Sequence, residues 1–140
     1  MELEQALTWA AGRKTAVLIT LRKDGRAQSS DITYLVDGEG RFVISLTDSR
    51  AKTKNMRRDD RVVLHITETD SWSYLSFDGV VELSATTMHM DDETADQLVE
   101  YYENVTGGAH PDWDEYRQAM VDEGRLIATF TPSKAVGQIH

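Results

Sequence analysis

The chain contains no cysteine, which removes disulfides, thiolate nucleophiles and thiolate metal ligands together. Proline is nearly as scarce: Pro111 and Pro132 are the two in 140 residues, and both lie outside the strongly patterned segments. Long apolar runs are missing too. The longest clean one, Ala16-Val17-Leu18-Ile19, falls far short of the ~20 residues that span a bilayer. The opening residues, Met1-Glu2-Leu3-Glu4-Gln5, are acidic and polar, unlike a secretory leader, and together with the lack of cysteine they predict a cytoplasmic protein. Positive charge is in deficit. The net charge of −9 repels duplex DNA and anionic lipid alike, so neither nucleic acid nor a membrane is expected as a partner. No Gly-x-x-x-x-Gly-Lys-Ser/Thr loop occurs, and no Gly-x-Gly-x-x-Gly follows a strand, so nucleotide hydrolysis and Rossmann-type dinucleotide binding lose their usual support.

What is present is a single domain over residues 1–140, with 40% hydrophobic and 28% charged residues, the balance of an ordinary globular protein. Leu3, Ala6, Leu7 and Ala10 recur at helical spacing before Gly12, predicting a helix over 2–11. Strands are predicted over 15–23 and 27–36, joined by an Asp24-Gly25 hairpin turn. After the turn at 37–40 come a strand over 41–46, a basic helix over 50–61, and strands over 62–67 and 72–83. The Asp78-Gly79 pair predicts a bulge or turn within the last of these. Helices over about 91–103 and 112–122 precede a final strand over 125–131. Six strands joined mainly by tight turns predict a mainly β protein: a small antiparallel barrel with inserted helices.

The basic helix concentrates the chemistry. Arg50, Lys52, Lys54, Arg57, Arg58 and Arg61 supply six of fifteen basic residues in twelve positions, leaving the segment at +4 inside an acidic chain. Thr47-Asp48-Ser49 offers N-cap candidates. Free backbone N–H groups and the helix dipole favour an anion at such a helix start, and Arg50 and Lys52 add charge there. The more distal cations also suit a solvated face. Other candidates have plainer readings. His65 lies in a strand pattern and reads as a satisfied barrel histidine. His89 with Asp91, Asp92 and Glu93 reads as a capped helix start, and no metal site is expected. Trp72 and Tyr74 pack by default. Tyr101, Tyr102, Trp113 and Tyr116 fall on the two late helices, where most would pack on the barrel and one or two would line a substrate mouth. No residue reads as an obligatory acid–base catalyst, so the catalytic residues stay unassigned.

The run Ser49-Arg50-Ala51-Lys52-Thr53-Lys54-Asn55-Met56-Arg57-Arg58-Asp59 resembles the split β-barrel flavin and deazaflavin oxidoreductases, the pyridoxamine 5'-phosphate oxidase-like group that includes enzymes dependent on coenzyme F420. Asp24 to Gln28, Trp72-Ser73-Tyr74 with Gly79 to Leu83, and Asp112 to Met120 match in order, in the manner of the actinobacterial-type deazaflavin branch. The resemblance implies a six-stranded split barrel of the FMN-binding type, a homodimer, and cofactor sites at the subunit interface. It implies that Arg50 and Lys52 contact the cofactor phosphate with Thr53 beside them, and that Lys54 and Arg57 hold a polyglutamate tail. It places Gln28, Ser29 and Ser30, with the backbone of Ile44, Ser45 and Leu46, near the ring or ribityl chain. Trp72 would wall the ring pocket, from the partner subunit. Asp31 stands where close relatives can have Asn, and would repel an anionic cofactor if it faced the groove. The implied activity is an F420-dependent hydride transfer with a conjugated small-molecule substrate. The alternatives are an FMN-dependent oxidase or reductase and a deazaflavin-binding protein without turnover. The longer cationic stripe suits the polyanionic deazaflavin better than FMN, which carries one phosphate.

Overall fold

The computed structural model describes all 140 residues. In chain order it contains α1 (Leu3–Ala11), β1 (Thr15–Leu21), β2 (Ala27–Thr33), β3 (Leu35–Val36), β4 (Phe42–Thr47), α2 (Ala51–Arg58), β5 (Arg61–Glu68), β6 (Ser73–Leu83), α3 (Glu93–Thr106), α4 (Trp113–Glu123) and β7 (Arg125–Gln138). A single 3₁₀ turn, Thr69–Ser71, joins β5 to β6. No helix is long and apolar enough to cross a membrane.

All seven strands form one sheet, in the order β2-β1-β5-β6-β7-β4-β3, with every pairing antiparallel. The two strands at opposite edges, β2 and β3, are separated in the chain by Tyr34 alone. A flat sheet cannot have its two edges one residue apart, so this one curls into a barrel. Pairing resumes only where β3 meets β4 at Leu35–Val43 and Val36–Phe42. Beyond that contact, the edge of β4 away from β7 and the free edge of β2 have no ladder partner, and this gap splits the barrel.

Strand periodicity fills the interior. In β1, Ala16, Leu18 and Thr20 are buried and alternate with half-buried Val17, Ile19 and Leu21. Phe42 is the hub, packed against Tyr34, Phe77 and Phe130 at centroid distances of 5.1, 5.0 and 5.7 Å. The tilted and edge-on ring geometries are those that aromatic quadrupoles favour. The helix α1 closes one side: Ala6 and Ala10 are fully buried, and the Tyr34 hydroxyl donates to the Ala10 carbonyl at 2.6 Å.

Four expectations need correction. There are seven strands, not six, because the return strand breaks at Tyr34, whose side chain turns into the core. The basic helix covers Ala51–Arg58 rather than 50–61, since Asp59 is extended and its carboxylate holds Arg61, the first residue of β5. None of Thr47, Asp48 or Ser49 caps that helix. Arg50 occupies the N-cap position and makes no side-chain cap bond. Finally, β7 continues past Thr131 to Gln138 because the bulge between Asp78 and Gly79 lets Pro132 pair without a ladder N–H. A Cβ at Gly79 would meet the Thr131 carbonyl and the Phe130 ring, so the bulge needs glycine.

Candidate functional site

The six cations of the 50–61 segment divide in two. Arg57 forms an ion pair with Asp48 at 2.7 Å and reaches Thr86. Arg61 is held by Asp59 at 2.7 Å, and Arg58 donates to the Leu21 carbonyl and to Asn55. Arg50, Lys52 and Lys54, at the start of α2, form no ion pair within the chain. The neighbouring helices contrast with this. Asp92 caps α3 and Asp112 caps α4, each accepting from a backbone N–H of the first turn, whereas α2 begins without a side-chain acceptor and without an acid in its first turn. The start of α2 therefore gathers N-terminal N–H groups and three unpaired cations, a composition suited to an anion.

Lys52 is half-buried. Burial, and then repulsion from Arg50 and Arg125, hold its ammonium below the usual lysine range. Like charges brought together in a shielded place are costly, and a bound anion would relieve them. Lys52 lines a cavity of about 420 Å³ with Asp31, Ser45, Tyr101, Tyr116 and Arg125; Tyr102, Val105 and Met120 complete its apolar wall. Burial pushes the Tyr116 hydroxyl up to about 12 and raises Tyr101 as well, so both stay protonated across the physiological range. Tyr101 bridges the split: its hydroxyl donates to the Thr33 carbonyl of β2 at 3.2 Å and faces the Ser45 backbone N–H of β4. Behind it, Tyr102, His110, Trp113 and Tyr116 form one aromatic cluster in which every pair of rings lies within 5.0–5.8 Å.

The remaining sequence-derived candidates fall in several places. Gln28 and Ser30 share the inner face of β2, while Ser29 points to the opposite, outer face beside Ile19, so the three cannot act as one row. The Ser30 hydroxyl is buried without a hydrogen-bond partner. The side chains of Ile44 and Leu46 are core, and only Ser45 between them reaches the cavity. The Thr53 hydroxyl is spent on the Thr47 carbonyl at 2.7 Å, which fixes the helix start rather than offering a donor. Trp72 lies outside the β6 strand. It is 82% exposed, in the left-handed region at φ 57°, and lines none of the larger cavities of its own chain. Asp31 lines the Lys52 cavity and also a second, of about 460 Å³, that contains His65. The histidine is satisfied, with its Nδ1 2.6 Å from the Ser76 hydroxyl. Sequence reasoning missed Arg125, which reads as the ordinary polar start of a strand after Gly124. Its side chain pairs with Glu123 at 3.0 Å and still borders the cavity.

The fold recurs in solved structures. A conserved hypothetical protein, Rv2991 of Mycobacterium tuberculosis, superposes with a TM-score of 0.77 at 21% identity, over all of this chain and 86% of its own. An F420 reductase matches with a TM-score of 0.65 at 21% identity, covering 88% of this chain and 89% of that one. HutZ, the haem storage protein of Vibrio cholerae, matches at 0.68 and 18% identity over 99% of this chain and 95% of its own. Identities this low speak for the fold alone. The family described as pyridoxamine 5'-phosphate oxidase matches from residue 3 to residue 136, from the start of α1 to near the end of β7, and by that match the chain belongs to it.

Proposed function

We propose that this chain binds coenzyme F420 and acts as an F420-dependent oxidoreductase on a conjugated small molecule. The observation that carries the reading is the uncapped opening of α2, where Arg50, Lys52 and Lys54 stand unpaired and Lys52 reaches into an aromatic-walled cavity. F420 joins a planar ring to a phosphodiester, a lactyl carboxylate and glutamate carboxylates, so it needs both an apolar wall and an extended cationic surface. Membership of the family supports a general oxidoreductase, and the likeness to an F420 reductase is consistent with this choice of cofactor.

The residues at the helix start fit that group, while Asp31 on the cavity wall disfavours an anion beside β2 and directs the acidic parts of the cofactor toward α2. Arg50, Lys52 and the first-turn N–H groups of α2 would hold the phosphate, with Lys54 directed along the tail. Arg57 would join them only by leaving Asp48. Tyr101, Tyr116 and Met120 would flank the ring, while Ser30 brings a hydroxyl that has no partner within the chain. When bound, the reduced cofactor supplies a hydride. The chain's part is to bind, orient and shield, and the half-buried Tyr101 and Tyr116 keep their protons.

The reading extends to a homodimer. Val17, Ile19, Val63 and His65 are half-buried on the outer face of β1 and β5, and Tyr74, Val80 and Val136 are exposed beside them. A sheet face this apolar calls for a cover, and a second copy would bring Trp72 within reach of a neighbouring site.

Titration of the purified protein with F420 and, separately, FMN while following tryptophan emission tests the reading. Saturable quenching by F420 at or below roughly tens of micromolar, tighter than by FMN, is expected. No saturable change overturns it. Visible absorbance and bound phosphate in the protein as purified would favour FMN. Tight F420 binding without oxidation of the reduced cofactor across a varied acceptor panel would leave a carrier without turnover.

A further inference from the structure

We propose that Asn55 is a positioning residue: it fixes the polarity of Gln28, holding its carbonyl inward and leaving its NH₂ as a free donor beside the anion-binding helix. The inference rests on the cofactor reading above for its ligand and on hydrogen bonds within the chain for its geometry.

Asn55 lies on α2 three residues after Lys52 and is 5% exposed. Its Nδ2 donates to the Thr20 hydroxyl of β1 at 3.1 Å and to Oε1 of Gln28 on β2 at 3.0 Å. Its Oδ1 accepts from both terminal nitrogens of Arg58 at 3.4 Å. A guanidinium carries donors and no acceptor, so Arg58 settles which end of the Asn55 amide is which. With the oxygen turned to Arg58, Nδ2 must face Thr20 and Gln28. Gln28 must then answer with its carbonyl, and its Nε2 is left over. No group in the chain accepts from Nε2, and Gln28 is only half-buried. The polarity therefore passes from Arg58 through Asn55 to Gln28 and ends in a donor that a ligand can use. Such a donor suits phosphate or ring-carbonyl oxygens, whereas a reversed Gln28 would present a lone pair to them. The same bonds anchor α2 to the inner faces of β1 and β2, so helix and donor are set by one amide.

The variant Asn55→Asp reverses this logic. A carboxylate pairs with Arg58, accepts from the Gln28 NH₂ and turns the Gln28 carbonyl outward. In the wild type, side-chain amide resonances should show Asn55 NH₂ protected from solvent exchange and Gln28 NH₂ exchanging as an exposed amide. In Asn55→Asp the Gln28 NH₂ should become protected, and F420 affinity should fall about tenfold. In the Gln28→Ala background the same substitution should cost no more than about twofold, since the new charge is already neutralised by Arg58. A protected Gln28 NH₂ in the wild type overturns the proposal, as does an equal loss of affinity with and without Gln28. If Asn55→Asp does not fold, Arg58→Met frees the Asn55 amide to flip. Partial protection of Gln28 NH₂ is then expected, and an unchanged exchange rate overturns the relay. If the wild type binds no F420 the cofactor reading fails, while the exchange pattern still decides the polarity of Gln28.

Discussion

Lys52 bears three burdens on one ammonium: partial burial, the guanidinium of Arg50 and that of Arg125. Because its proton is held more weakly than an ordinary lysine's, and because an anion binds only the charged form well, cofactor affinity should decline as pH rises through its lowered range. The decline should start at lower pH than a free lysine would give, and in Lys52→Arg it should disappear; fluorescence titrations between neutral and alkaline pH read both. At neutral pH, Lys52→Glu should weaken F420 binding at least tenfold, ~1.4 kcal/mol, with the melting temperature nearly unchanged. The cluster was legible in the sequence, since six cations in twelve positions of an acidic chain stand out however the segment folds. The sorting of those cations was not. Asp48 neutralises Arg57 across a helix start, and Asp59 neutralises Arg61 across a helix end. Both pairings depend on where the helix breaks, which charge periodicity does not reveal.

The ends of the helices show what local sequence can and cannot specify. Asp92 was readable as a cap because acids gather before an amphipathic run, and its carboxylate accepts from the Met88, His89 and Ala95 N–H groups and from the Thr87 hydroxyl. Burial raises its pKa, but these bonds outweigh burial and hold it at about 2. The folded value lies below the ~3.9 of an unfolded aspartate, so its stabilisation is present above that value and disappears as pH falls through about 2. Asp92→Ala should cost about 1–2 kcal/mol in denaturant unfolding at neutral pH. The wild type and the variant should converge as the solution is acidified. The opening of α2 was misread for the converse reason. Thr47, Asp48 and Ser49 all have capping chemistry, yet Thr47 ends β4 and the Asp48 carboxylate turns to Arg57 and Thr86. Tertiary partners took the caps and left the helix start open.

Across the whole molecule, the strand pattern was legible because alternation survives in β1, β4 and β5 almost residue by residue. The seventh strand was not, because Tyr34 is a good strand residue and only its burial between β2 and β3 shows the break. The outer face of β1 and β5 carries the proposed self-association. Sedimentation should give twice the 15.8 kDa chain mass, and Ile19→Glu, placed beside Val63 on that face, should weaken the dimer at least a hundredfold while each chain still unfolds cooperatively. A dimer unaffected by Ile19→Glu places the contact elsewhere. The position of β7 sets the order in which such a molecule can form. It lies between β4 and β6, so Phe42 finds its partner Phe130 across most of the chain. During synthesis β4 and β6 leave the ribosome long before the strand that joins them, and until Arg125–Gln138 follows, each waits with an open hydrogen-bonding edge and Phe42 lacks the Phe130 ring that packs on it. The nascent chain is thus most vulnerable to aggregation and proteolysis until β7 has emerged, and a truncation before Arg125 would remove the keystone of the sheet.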